Sequence, residues 1–135
     1  ALGMPCLFHS GASDLMPWWQ GDVPHIRHFW EPVQRMPEVT FILGHAGIHC
    51  YREAIVLAQR NRNVYLELSG QPPARIREML DAGLEDRLLF GSDWPYYVVT
   101  LPLAKVLLAT EGADQARGKL LYANARALLE RIGAW

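Results

Sequence analysis

Cysteine is scarce in this chain, with two among 135 residues, Cys6 and Cys50. Two isolated thiols build neither a disulfide framework nor a zinc knuckle, so a reducing, cytoplasmic compartment is the expected setting. An excess of one charge is missing as well. Thirteen Lys and Arg face fourteen Asp and Glu, a formal net charge of −1, and the two signs mix along the chain instead of gathering in runs. That distribution argues against nucleic-acid and membrane-surface partners. Long hydrophobic runs are lacking too: stretches such as Val106–Ala109 fall far short of the roughly 18 to 20 apolar residues of a spanning helix. No charged-then-apolar leader pattern opens the chain. Ala1 stands directly before an apolar, strand-like run, and further sequence upstream is expected. What is present is 50% apolar and 20% charged residues over one domain's length. This is the composition of a chain that buries a core.

Four short apolar runs, each followed closely by Gly, Ser or His, read as buried strands: Met4–Phe8, Thr40–Leu43, Val64–Leu68 and Leu88–Phe90. Helical patterns alternate with them. In His25–Met36, Ile26, Phe29, Trp30 and Val33 recur at helical spacing before Pro37; Tyr51–Arg60 carries Ala54, Ile55, Leu57 and Ala58 on one face. Pro73–Ala82 has Pro in its first turn and Gly83 as a left-handed stop. Thr100 is the expected cap of Leu101–Thr110, and Asn124 that of a last helix running to Arg131 and stopping at Gly133. Strand, helix, strand in strict alternation predicts an α/β fold of four parallel strands with crossover helices. The strands begin about 24 to 35 residues apart, near the roughly 31 per unit of a 250-residue (β/α)₈ (TIM) barrel, so four units make half a barrel. A flavodoxin-like open sheet is the alternative that element order leaves standing.

In a parallel α/β fold, chemistry collects just past the carboxyl ends of the strands. Each predicted strand ends in a polar group: His9-Ser10-Gly11, Gly44-His45-Ala46-Gly47, Glu67-Leu68-Ser69-Gly70, and Gly91-Ser92-Asp93-Trp94-Pro95. A single His at a strand end is ordinarily a structural residue. Two His and one Asp at equivalent ends are the imidazole and carboxylate donors that a divalent zinc-like ion prefers, so a metal site is the economical reading.

These segments, together with Asn124-Ala125, resemble the amidohydrolase-2 family of the metal-dependent amidohydrolase superfamily, over essentially the whole chain from that family's fifth strand to its last helix. The family contains hydrolases, lactonases, hydratases and decarboxylases of the aminocarboxymuconate-semialdehyde type. The resemblance implies that residues 1–135 are the C-terminal half of a metal-dependent barrel, with a small-molecule substrate and a divalent cofactor, in the first place zinc. It implies that His9 is the metal ligand of the fifth strand. His45 would activate or orient water, or touch a second metal, and Asp93 would bind the metal and take the proton of the attacking water. The family's first-strand His-x-His pair has no counterpart here. A non-oxidative decarboxylase of the same family, and a noncatalytic fragment lacking the complete site, are the alternatives.

Other candidates carry two readings each. Glu67 either contacts the mouth or is a carboxylate held by a nearby Arg; Ser69 and Ser92 are expected to bond backbone at turns. A Ser10–His45–Asp93 hydrolase lacks the Gly-x-Ser-x-Gly elbow that would expose its nucleophile. His25, His28 and His49 are expected at the surface near helix starts, with His49 close enough to line the mouth, and Cys6 and Cys50 as packing residues. Met16, Trp18 and Trp19, in the long segment Ser10–Pro24, either form a lid or pack on another part of the protein. Half a barrel exposes strand edges and an apolar inner face, so either a second copy of the chain or the remainder of the same polypeptide is expected to cover them.

Overall fold

The computed structural model describes residues 3–11 and 22–133; the lid candidates Met16, Trp18 and Trp19 lie outside them. Strands form where short apolar runs are flanked by turn residues: β1 (Cys6–His9), β2 (Phe41–Gly44), β3 (Val64–Glu67) and β4 (Leu88–Leu89). They lie in the order β1-β2-β3-β4, every pair parallel. A flavodoxin-like sheet would have a reversal of strand order, and these four strands have none. Sequential parallel order is that of a partial (β/α)₈ barrel.

Each strand gap holds helix. A 3₁₀ turn over Ile26–Phe29 leads into α1 (Trp30–Arg35), followed later by α2 (Tyr51–Arg60) and α3 (Pro73–Asp81). The expected single helix over 25–36 is therefore two pieces. Past β4 come α4 (Thr100–Ala109) and one continuous helical run, in which α5 (Asp114–Gly118) passes through a π-helical turn (Lys119–Ala123) into α6 (Asn124–Arg131), so the last helix begins well before the Asn124 start expected of it. Gly83 takes φ +76° past α3 and Gly133 φ +70° past α6, the left-handed stops expected there.

Two expected caps are not caps. Thr100 is already inside α4, whose cap position is Val99. Asn124 lies inside the helical run, and its side-chain amide donates to the carbonyls of Glu85 (2.7 Å) and Leu88 (2.8 Å), tying α6 to the start of β4. Neither residue has the extended backbone that a cap needs.

Because side chains alternate across a strand, register assigns two faces. Phe8, Leu43, Leu66 and Leu88 share the helix-facing side, and Leu43, Leu66 and Leu88 are fully buried against α2 and α3, among Leu57, Ile76 and Met79. Leu7, His9, Ile42, Tyr65 and Glu67 alternate onto the opposite side, the one a closed barrel turns inward. This inner face is open: Leu7 is 67% exposed. Cys6 is exposed too, so it does not serve as the packing residue expected from its strand position.

Candidate active site

Strand ends place the polar groups as parallel topology requires. His9 closes β1, His45 follows Gly44 at the end of β2, Glu67 closes β3, and Asp93 follows the short loop after β4. All four line one cavity of about 520 Å³, whose rim includes Leu7, Phe90 and Trp94. The His9 and His45 rings meet edge to face with centroids 4.8 Å apart.

His45 is the most tightly held of the group. Its backbone takes φ 60°, in the left-handed region that costs a non-glycine residue about 1–2 kcal/mol. Three residues from the end of β3 hold it there. The His45 amide donates to Glu67 Oε2 (2.9 Å), its carbonyl accepts from Gln71 Nε2 (2.6 Å), and its Nδ1 meets Ser69 Oγ at 2.9 Å. Ser69 Oγ donates its own proton to Glu67 Oε2 at 2.7 Å, and the Ser69 amide donates to Oε1 at 2.7 Å. With the hydroxyl proton committed to a carboxylate, Ser69 Oγ accepts at His45, which places the ring proton on Nδ1 and leaves Nε2 as the basic nitrogen. Glu67 is held by backbone amides and a serine, in contrast to the arginine partner that was one of its two expected readings. Ser69, expected to bond backbone, is 1% exposed and joins two side chains instead.

Asp93 also sits at positive φ, 54°, in a turn whose carbonyl accepts from the Tyr96 amide at 2.9 Å. Strained backbone of this kind concentrates at functional positions, where surrounding bonds over-determine it. Burial and the neighbouring His45 push the His9 pKa below its ordinary 6.5, while Asp93 pulls it back up. A neutral imidazole beside a carboxylate is the donor pair that a zinc-type ion takes. Two imidazoles and one carboxylate at one cavity mouth thus fit such an ion in donor chemistry. Their spacing is open: among the described residues the one His/Cys/Asp/Glu group whose ligand atoms lie within 4.8 Å of one another is His25, Cys50 and Glu53, elsewhere on the surface.

The remaining candidates separate cleanly. Ser10 is fully buried, its hydroxyl donating to the Gly44 carbonyl (2.6 Å) and accepting from the Gly47 amide (3.1 Å), so it staples the first two loops and is no nucleophile. Ser92 Oγ accepts from the Trp94 amide, as a turn residue should. His28 and His49 are exposed, His49 does not line the cavity, and His25 is half-buried. Gln71 went unseen in the sequence; the signal was its place in the alternation Glu67, Ser69, Gln71, three polar residues at every second position past a strand.

The sequence profile of the Amidohydrolase family matches residues 1–131. The chain belongs to the amidohydrolase-2 family. No curated protein matches it. Among solved structures, this amidohydrolase chain is similar to an uncharacterized TIM-barrel protein from Bordetella bronchiseptica at 26% identity and TM-score 0.80, covering 98% of this chain and 47% of that one. It is similar to a 2,6-dihydroxybenzoate decarboxylase complexed with 2,6-dihydroxybenzoate at 19% identity and TM-score 0.70, covering 96% and 52%. It is also similar to an amidohydrolase from Burkholderia multivorans with bound zinc, at 20% identity and TM-score 0.62, covering 78% and 49%. The chain spans about half the length of the solved structures it matches.

Proposed function

We propose that the chain is the C-terminal half of a metal-dependent hydrolase that attacks a small amide, ester or lactone with water. The observation carrying this reading is the meeting of His9, His45 and Asp93 on one cavity, with His45 locked in orientation by Ser69 and Glu67. His9 and Asp93, with His45 beside them, are the residues of this chain that would hold the divalent ion, zinc in the first place. When bound, such an ion supplies Lewis acidity, polarising a substrate carbonyl and easing deprotonation of water.

The protein's own share is positioning and proton handling. Asp93 Oδ takes the proton of the attacking water, a role for which a carboxylate at the mouth, facing the neutral His9, is placed. His45 Nε2 orients that water or accepts a hydrogen bond from the substrate, and the Ser69–Glu67 chain prevents the ring from turning. Leu7, Phe90 and Trp94 give the cavity an apolar side that fits the carbon skeleton of a small organic substrate.

The similarity to a 2,6-dihydroxybenzoate decarboxylase favours a second reading, non-oxidative decarboxylation at the same residues. Product analysis on the full-length protein decides between them. Carboxylic acid and alcohol or amine from an ester or amide substrate support the hydrolase; CO₂ released from an aromatic carboxylic acid, with no hydrolysis of esters, amides or lactones, supports the lyase and overturns our first reading.

A further inference from the structure

Outside the cavity, the start of α2 carries a group of a different composition. Cys50 immediately precedes α2, Glu53 lies in its first turn, and His25 heads the 3₁₀ turn before α1. His25 Nε2 lies 3.3 Å from Cys50 Sγ, and His25 Nδ1 lies 3.7 Å from Glu53 Oε2. One ligand atom from each falls within 4.8 Å of the others. None of the three lines the cavity that holds His9, His45 and Asp93.

We propose that His25, Cys50 and Glu53 form a second binding site, selective for a thiophilic divalent cation such as zinc. The sulfur and nitrogen are spaced close to what such an ion requires: bonds of about 2.3 Å to sulfur and 2.0 Å to nitrogen, opened to a tetrahedral angle, hold S and N about 3.5 Å apart. The observed 3.3 Å needs no rearrangement of backbone. Thiolate, imidazole and carboxylate select zinc or cobalt over magnesium or calcium, which prefer oxygen. Glu53 is exposed and the other two are half-buried, so an ion and its remaining water ligands can reach the site.

Binding is balanced in protons. The Cys50 thiol loses its proton to solvent as the S–metal bond forms. The His25 ring, which accepts at Nδ1 from the Arg27 amide at 3.2 Å, moves its proton from Nε2 to Nδ1, and the exposed Glu53 side chain turns its carboxylate from Nδ1 onto the ion. The Arg27 bond given up in that step is a weak, exposed one. Nothing in this site depends on the reaction proposed for the cavity.

Cobalt(II) alone is the probe, because a thiolate–cobalt bond absorbs in the near ultraviolet and a site of imidazoles and carboxylates does not. Titration of the protein with cobalt should raise that band to one equivalent per chain. Cys50→Ser should abolish it, Cys6→Ser should leave it, and Asp93→Asn at the cavity should leave it. Glu53→Gln, an exposed change that the fold tolerates, should weaken cobalt binding at least tenfold with an unaltered circular dichroism spectrum. Absence of the band at millimolar cobalt, persistence of it in Cys50→Ser, or unchanged affinity in Glu53→Gln overturns the proposal.

Discussion

Replacing Gly91 by Ala places one methyl group where the Glu67 carboxylate already is. A Cβ built on Gly91 lies 1.7 Å from Glu67 Oε1 and 2.4 Å from its Cδ. Ordinary contact is more than an ångström longer, so the carboxylate has to leave. In leaving it releases the amides of His45 and Ser69 and the Ser69 hydroxyl, three donors now held at 2.7 to 2.9 Å. Hydrogen bonds to a charged group contribute about 1.5–3 kcal/mol each when buried. Glu67 is only half-buried and water replaces part of the loss, so we expect a destabilisation of about 3 kcal/mol, or roughly 10 °C in midpoint for a chain this size. Denaturant unfolding of a double-mutant cycle isolates the cause. In a Glu67→Ala background the methyl group has nothing to displace, and Gly91→Ala should then cost less than about 1 kcal/mol. Equal costs in the two backgrounds would refute the reasoning, because the damage would then come from somewhere other than the Glu67 carboxylate.

Ser69→Ala cuts the link between Glu67 and His45, so under the proposed function it should lower kcat of the full-length protein about tenfold with little change in KM and cost about 1–3 kcal/mol of stability; an unchanged kcat would show that His45 needs no such support. By NMR, the metal-free His9 ring should titrate below 6.5, lower still in Asp93→Asn, because the Asp93 charge is what raises it; an upward move in that variant contradicts the geometry. With its folded pKa below the unfolded one, His9 should also make stability decline as pH falls through about 6.5, since the unfolded chain then binds more protons. Sedimentation of the 135-residue chain should show dimers or larger species that cover Leu7 and the open β1 edge; a stable, non-aggregating monomer would show that the edge needs no cover.

β2 and β3 were legible because their runs are buried on one face and end abruptly at polar residues; β1 lies within two residues of its expected bounds but is exposed at all four positions, so it is not the buried strand its apolar run predicts. Placement of His9, His45 and Asp93 on one cavity followed from parallel topology alone, since equivalent strand ends share a mouth. What holds His45 was not legible. The bonds from Glu67, Ser69 and Gln71 depend on the register of β2 against β3 and on a left-handed turn at His45, and neither is encoded in local propensity. Asn124 failed as a cap for a related reason: its amide serves carbonyls 36 and 39 residues away, a tertiary use that overrides its local preference. His25 and Cys50, 25 residues apart, likewise meet only through packing.

The central proposal is that Asp93 serves as the proton acceptor of a hydrolytic centre built from these strand ends. Steady-state turnover of an ester or lactone by the full-length protein, wild type against Asp93→Asn with zinc supplied, tests it most directly. The substitution keeps the side chain's shape and removes its charge, so turnover should fall about 10²- to 10⁴-fold while the circular dichroism spectrum stays the same. Turnover above about a tenth of wild type would contradict the account.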